Sequence, residues 1–366
     1  MANNVFIIYN LYSFDSKSIT IGGVQTYLTD LIEIMSGMKW NVWVLQYGQT
    51  DSEEKLHNCT IRQYKSHSSA KMIELAVHDI INVNNDLIIY GTDTIIHPSI
   101  IFKKSIAIQH GICWDIPVLK KNSILKQLIL NSFSSYKLLK RFEKVNKIVC
   151  VDHNFVNWYR SQTNSTSEKL VVIPNYTRIA GKSQKPTDCI NIIFARRFWW
   201  YRGTRVFCEA IKKILDEYQT VNVTIAGNGP DEDWMRNYLK GYQKVKFISY
   251  NSAQSLQIHE DKHIAVVPTV GSEGTSLSLL EAMSAQCAVI CTNVGGMTNI
   301  VLDRFNGRMV SAGSSEELYN AIKDLVIDEE ERLRIANYGY ETVARAFSYD
   351  LWEKRWKTIL NNVING

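Results

Sequence analysis

The sequence predicts two doubly wound, Rossmann-like α/β domains in one chain. Three observations lead there. The 366 residues exceed one ordinary domain and suit two. Short β-branched runs alternate with helix-length amphipathic runs, the pattern of parallel α/β layers. The alternation then restarts after a polar stretch over 176–188, where Gly181, Pro186 and several Lys, Ser and Thr residues read as a linker.

In the first half, strands are expected at 5–9, 42–46, 60–64, 87–90, 106–109, 147–151 and 170–173. Several are apolar throughout, as strands buried on both faces should be. In the second half, strands are expected at 190–194, 221–225, 245–248, 264–267 and 288–291. Helices fill the gaps at 204–218, 232–239, 276–285, 315–326 and 329–344. The chain thus divides into an N-terminal domain (1–175), a linker (176–188) and a C-terminal domain (189–347). A last amphipathic helix in 348–366 is expected to pack back on the N-terminal domain. Ligands of such sheets sit beyond the carboxyl ends of the strands, here in a cleft between the domains.

Composition narrows the function classes. Hydrophobic residues make up 45%, enough for two cores and too many for a disordered chain. A net charge of +5 falls far short of a nucleic-acid binder, so no nucleic acid is expected as a partner. The seven cysteines are odd in number and irregular in spacing, without a CxxC pair or a zinc-like Cys/His cluster. They read as reduced thiols of a cytoplasmic protein. Residues 1–10 have no basic leader, and no apolar run approaches the roughly 20 residues of a membrane-spanning helix. The positive charge is uneven: 119–147 holds eight Lys/Arg against one acid, Glu143, interleaved with Ile124, Leu125, Leu128, Ile129 and Leu130. Such a segment suits an anionic membrane surface, on the inner face of the cell membrane. The plain alternative is a pair of core-packing helices with a wet basic face.

Five constellations carry candidate chemistry. The first is Glu273-Gly-Thr275-Ser276-Leu277-Ser-Leu-Leu-Glu281, directly after an apolar strand. A helix N-terminus attracts a diphosphate through its open N–H groups and dipole. A carboxylate before it can accept from sugar hydroxyls, and one two turns further on can hold a ribose diol. The second is the run 195–203, which sets Arg197 and Arg202 around four aromatics at a strand's carboxyl end. Guanidinium forks match phosphate oxygens and neutralise a diphosphate without a metal. The third is the turn Gly227-Asn-Gly229-Pro230, placed to approach a base or ribose. The fourth is Gly22-Gly23 after the first strand, and the fifth is His110 at a strand's carboxyl end. Gly295-Gly296 forms a similar strand-end loop, expected to line the sugar pocket with backbone groups.

Taken in order, these pieces resemble the family-four class of retaining glycosyltransferases with the GT-B fold. The matching motifs are Gly22-Gly23, His110, Pro174-Asn175, Arg197…Arg202-Gly203, Gly227-Asn-Gly229-Pro230, Glu273…Glu281, Gly295-Gly296 and Asn306-Gly307. The resemblance implies transfer of a sugar from a nucleoside-diphosphate donor to an acceptor hydroxyl, in surface polysaccharide or glycolipid assembly. It gives the donor diphosphate to Arg197 and Arg202, the sugar hydroxyls to Glu273 and the ribose to Glu281. It sets His110 beside the transferring sugar, and implies a glycan or lipid-linked acceptor, with no cofactor and no metal. Arg202 stands where the family usually has lysine, and Thr275-Ser276 replaces an aromatic-glycine pair. Two other readings are a nucleotide-sugar epimerase of the same architecture and a non-catalytic nucleotide-sugar-binding protein.

Overall fold

The computed structural model describes residues 3–20, 22–111, 123–163, 168–181, 184–271 and 273–365, with Ser252 described in its backbone alone. These fall into two compact units. Residues 3–110, 123–173 and 353–365 form the first, and Gly111 with 174–352 the second.

The first unit opens with β1 (Asn4–Ile8), a small hairpin of β2 (Tyr12–Ser13) and β3 (Ser18–Ile19), and helix α1 (Gly23–Gly37). Then come β4 (Asn41–Gly48), β5 (Ser52–Lys55), β6 (Thr60–Lys65), α2 (Ser69–Asp79), β7 (Leu87–Tyr90), β8 (Lys104–Gln109), α3 (Ile124–Phe142), β9 (Lys147–Cys150), α4 (His153–Thr163) and β10 (Leu170–Val172). The main sheet runs β10-β9-β8-β7-β1-β4-β6-β5. It is parallel except at β5, which pairs antiparallel with β6. The sequence pattern misses β5 for a physical reason: Ser-Glu-Glu-Lys is an edge strand whose charges face water. Phe6 and Ile8 join one buried cluster with Met72, Ile73, Phe102 and Phe142, while Val5 and Ile7 are fully buried on the opposite side. That two-sided burial is why the strand is apolar at every inner position.

The second unit restarts the pattern with β11 (Ile190–Ala195), α5 (Thr204–Glu217), β12 (Val221–Ala226), α6 (Glu232–Tyr238), β13 (Val245–Ile248), β14 (Ile264–Val267), α7 (Leu277–Ser284), β15 (Ala288–Thr292), β16 (Arg308–Val310), α8 (Ser315–Ile327) and α9 (Glu329–Ala346). Its sheet is parallel throughout, in the order β13-β12-β11-β14-β15-β16. Strand period decides which core each residue joins. Ile192 and Phe194 pack with α5 and α8, whereas Ile193 and Ala195 pack with α7. The described residues of 176–188, read from sequence as a linker, are fastened along this unit. Thr177 bridges to Ser348, Ala180 N–H donates to Ser284 Oγ at 2.8 Å, and Lys185 Nζ donates to the Ala285 carbonyl at 3.1 Å.

The last helix, α10 (Tyr349–Asn365), begins in the second unit, where Trp352 packs on Tyr176 with ring centroids 4.0 Å apart. From residue 353 onward it belongs to the first unit. There Trp356, fully buried, donates its indole N–H to Tyr27 Oη of α1 at 2.8 Å. Trp356→Ala should therefore cost the first unit about 3–5 kcal/mol by cavity formation. Urea unfolding followed by circular dichroism measures this, and a loss below about 1 kcal/mol would show that the helix end contributes little packing.

Candidate functional site

The chemistry concentrates at the carboxyl ends of β11 and β14, within the second unit. After β14 the chain leads through Pro268 and Thr269 to Glu273 and then into α7, with Ser276 as N-cap. Glu273 is only 8% exposed. Its Oε2 accepts hydrogen bonds from Arg196 Nη2, from Arg202 Nη1 and, at 3.0 Å, from Thr269 Oγ1. Burial alone would push this carboxyl up, but the two guanidiniums outweigh it and hold the group below the usual carboxylate range. Arg196 Nη1 also reaches Ser276 Oγ at 3.5 Å, which sets the cationic pair beside the α7 N-terminus. Two cations share one anion, so the cluster keeps a net positive charge next to a positive helix pole.

The structure sets a further arginine, Arg196, beside Arg202 on Glu273. Adjacent residues of an extended segment point opposite ways. Arg196 turns inward and is 8% exposed, whereas Arg197 lies on the exposed surface. The partner that Arg202 shares on Glu273 is therefore Arg196, not Arg197. Thr269 was missed as well, because nothing in a Pro-Thr-Val run marks a hydroxyl as a carboxylate partner.

The glycines earn their places by letting backbone approach backbone. Gly227 has φ of +141°, and a Cβ there would collide with the Arg196 carbonyl. The turn is laced to the arginine loop by Arg196 N–H to Ala226 O at 3.0 Å and Phe198 N–H to Asn228 O at 2.8 Å. Gly227 and Gly229 thus shape the arginine loop, where the sequence suggested contact with a base. Gly295, at φ +51°, and Gly296 press on the backbone of Glu273 and Gly274. Gly296 N–H donates to the Glu273 carbonyl at 3.0 Å. These two support the acidic loop from behind. Thr275 and Ser276 are buried, and the Thr275 carbonyl accepts from Asn175 Nδ2 at 2.7 Å.

Glu281 lies within α7, part-buried, hydrogen-bonded by Ser255 and electrostatically coupled to Tyr250. No cation compensates it to the extent Glu273 is compensated. Burial pushes its carboxyl up to about 7, against the smaller lowering effect of Ser255. Tyr250 is also raised, chiefly by burial, and it senses both Arg196 and Arg197. Neither Tyr250 nor Ser255 carries a signal legible in the sequence.

The remaining candidates lie in the first unit. Gly22 caps α1 and Gly23 is that helix's first residue. His110 follows β8, and its Nε2 bonds the Gly91 carbonyl at 2.9 Å. A carbonyl can only accept, so Nε2 carries the proton. Burial pushes the imidazole down to about 4, so it is neutral at pH 7. The Tyr27 ring meets it edge-on with centroids 5.1 Å apart, linking His110 to the α1–α10 contact.

The raised pKa of Glu281 has a stability consequence. An acid whose folded pKa exceeds its unfolded value favours folding at low pH and loses that contribution as pH rises through the folded pKa. Between the ordinary 4.5 and about 7, the difference is about 3 kcal/mol. Glu281→Gln, which mimics the protonated acid, should match the native chain at pH 5 and be more stable at pH 8. Urea midpoints of both chains across that range test this. A difference that stays constant with pH would place the Glu281 pKa near its ordinary value.

Residues 175–342 match the family model for glycosyl transferases group 1. Phosphatidyl-myo-inositol mannosyltransferase of Mycobacterium leprae is 23% identical over 96% of this chain and 93% of its own length. An uncharacterised glycosyltransferase of Methanocaldococcus jannaschii is 26% identical over 55% of this chain, a match spanning about half (51%) of that relative. Among solved structures, sucrose-phosphate synthase from Thermosynechococcus elongatus superposes with a TM-score of 0.78 at 15% identity, covering 99% of both chains. Anabaena HepE, solved with UDP, gives 0.72 at 14% identity, covering 98% of this chain and all of that one. With Glu273, Glu281 and both paired arginines inside the matched region, residues 175–342 match the glycosyl transferases group 1 family, and the chain has the GT-B fold.

Proposed function

We propose that this glycosyltransferase takes a nucleoside-diphosphate sugar as donor and transfers the sugar with retention of anomeric configuration. One observation carries the reading: a buried carboxylate holding two guanidiniums beside a helix N-terminus. In the free protein, Glu273 neutralises part of the arginine charge. A bound diphosphate would take over the outer edges of Arg196 and Arg202, leaving carboxylate lone pairs for sugar hydroxyls. As the glycosidic bond to phosphate breaks, negative charge grows on the leaving diphosphate, and preorganised guanidiniums stabilise it without rearrangement. The acceptor hydroxyl then loses its proton to that phosphate on the face the leaving group vacates. No metal is required in this scheme, since the arginines supply the neutralising charge. Glu281 is assigned the ribose diol. His110, neutral and with its Nε2 proton already engaged, is assigned by the resemblance to the transferring sugar.

The acceptor reading draws on the relatives' names. They include phosphatidyl-myo-inositol mannosyltransferases and a Salmonella typhimurium lipopolysaccharide 1,2-N-acetylglucosaminetransferase. They favour a lipid-linked or glycan acceptor in surface glycolipid or polysaccharide assembly. The test is incubation with a panel of nucleoside-diphosphate sugars and lipid-linked acceptors, with proton NMR of the product. The expected product keeps the donor's anomeric configuration, and an inverted product would overturn retention. Epimerised donor without any transfer would replace the reading altogether. Arg202→Ala should lower kcat about 10²–10³-fold, as losing one donor to a developing oxyanion does. Arg202→Lys should be much milder.

A further inference from the structure

The first unit presents a surface that its own fold does not explain. Among the described residues, helix α3 is anchored at its carboxyl end: Phe142 is buried, Leu138 and Leu139 pack on the core, and Arg141 Nη1 donates to the Thr94 carbonyl at 2.5 Å. The preceding turns stand in solvent. Ile124, Leu125, Leu128, Ile129, Phe133 and Tyr136 are between 58% and 80% exposed. Their direction is the telling feature. At 100° per residue, taking buried Phe142 as the core-facing azimuth, Leu125, Ile129, Phe133 and Tyr136 fall about 100–180° away from it. An ordinary surface helix is polar there.

The same face is positively charged. Lys126, Lys137 and Lys140 fall within an arc of about 60° that overlaps the far edge of the apolar stripe. The helix contains no acid, and Glu143, just beyond it, pairs with Lys140 at 3.2 Å. Lys137 Nζ lies 4.4 Å from the Phe133 ring centroid, and Lys140 Nζ 6.0 Å from that of Tyr136. Each ammonium therefore sits beside an aromatic of the outward stripe, so cation and apolar side chain stand together as they would at the boundary between headgroups and acyl chains. Two of the cations counted in the sequence do other work: Arg141 holds Thr94, and Lys147 Nζ donates to the Glu168 carbonyl at 3.1 Å. Residues 119–122 of that segment lie outside the described residues. No described helix is long and apolar enough to cross a membrane.

We infer that the outward face of α3 docks in the plane of an anionic bilayer, with Leu125, Ile129, Phe133 and Tyr136 inserted and Lys126, Lys137 and Lys140 at the headgroups. Charge complementarity selects this occupant: a neutral surface would leave the lysines uncompensated, and a second copy would bring like charges face to face. The inference rests on α3 alone and not on the transfer reaction, so it is tested without any sugar donor.

The full chain is mixed with vesicles of phosphatidylcholine alone, or with about one third phosphatidylglycerol, and sedimented. Binding is expected only to the anionic vesicles and should weaken as salt is raised. Each near-surface lysine contributes about fivefold to partitioning, so Lys126→Glu with Lys137→Glu should reduce binding at least 20-fold, roughly. Leu125→Ser with Ile129→Ser should also abolish most of it, while both variants keep the native circular dichroism and unfolding midpoint. Equal binding to neutral and anionic vesicles, or none to either, would overturn the inference. So would light scattering that shows a dimer dissociated by the serine variant without vesicle binding, since α3 would then be an interface between copies.

Discussion

The donor-side architecture depends on a single ion cluster, the Glu273 carboxylate shared by Arg196 and Arg202. Neither half is tolerable alone. An unpaired carboxylate this deeply buried would protonate, and two guanidiniums this close would repel. Together they hold two cations in fixed geometry where an isolated pair would spread into water. The surroundings follow from that requirement. Gly295 and Gly296 let one loop press behind Glu273, Gly227 lets another close over the Arg196 carbonyl, and Thr269 fills a further lone pair of the carboxylate. The small residues of this region allow the backbone crowding around the cluster.

Glu281 shows the opposite solution with the same functional group. Both acids sit in the same motif and both are desolvated, yet their affinities for protons diverge. Paired cations hold Glu273 down, while Glu281, with a serine hydroxyl as its hydrogen-bond partner, rises to about 7. A carboxylate kept in that condition costs the free protein stability at neutral pH. A ribose diol is the partner proposed for it. In the proposed function the cluster is assigned the charged part of the donor and Glu281 the neutral, hydroxyl-bearing part.

Much of this was legible in the sequence because burial writes itself into residue type. Strands buried on both faces are apolar at every position, so β7 and β14 could be bounded to the residue. The two glutamates were legible because a strand, a short loop and a helix fix their spacing. Three features were hidden. Which of Arg196 and Arg197 turns inward depends on the path of the loop beyond β11, where strand alternation ends and Gly227 and Gly203 steer the chain. Strand β5 is paired through its backbone, and its Glu-rich side chains disclose nothing of that. The segment 176–188 looks like a linker because most of its bonds to the second unit are made by backbone groups, a serine and a lysine, and its buried aromatic, Tyr176, stands alone without an apolar period. In α3 the composition announced an amphipathic helix, but only the buried position of Phe142 reveals that its apolar side faces outward.

The central claim is that Arg196, held by Glu273, is part of the diphosphate site. Calorimetric titration of a nucleoside diphosphate into Arg196→Ala and Arg197→Ala, beside the native chain, tests it most directly. Losing a charged hydrogen bond at a built site costs about 1.5–3 kcal/mol, so Arg196→Ala should weaken binding by at least about tenfold. Arg197→Ala, at an exposed position, should change it by no more than about threefold. Equal losses in the two variants, or a larger one in Arg197→Ala, would contradict the account and return the diphosphate to the outer arginine.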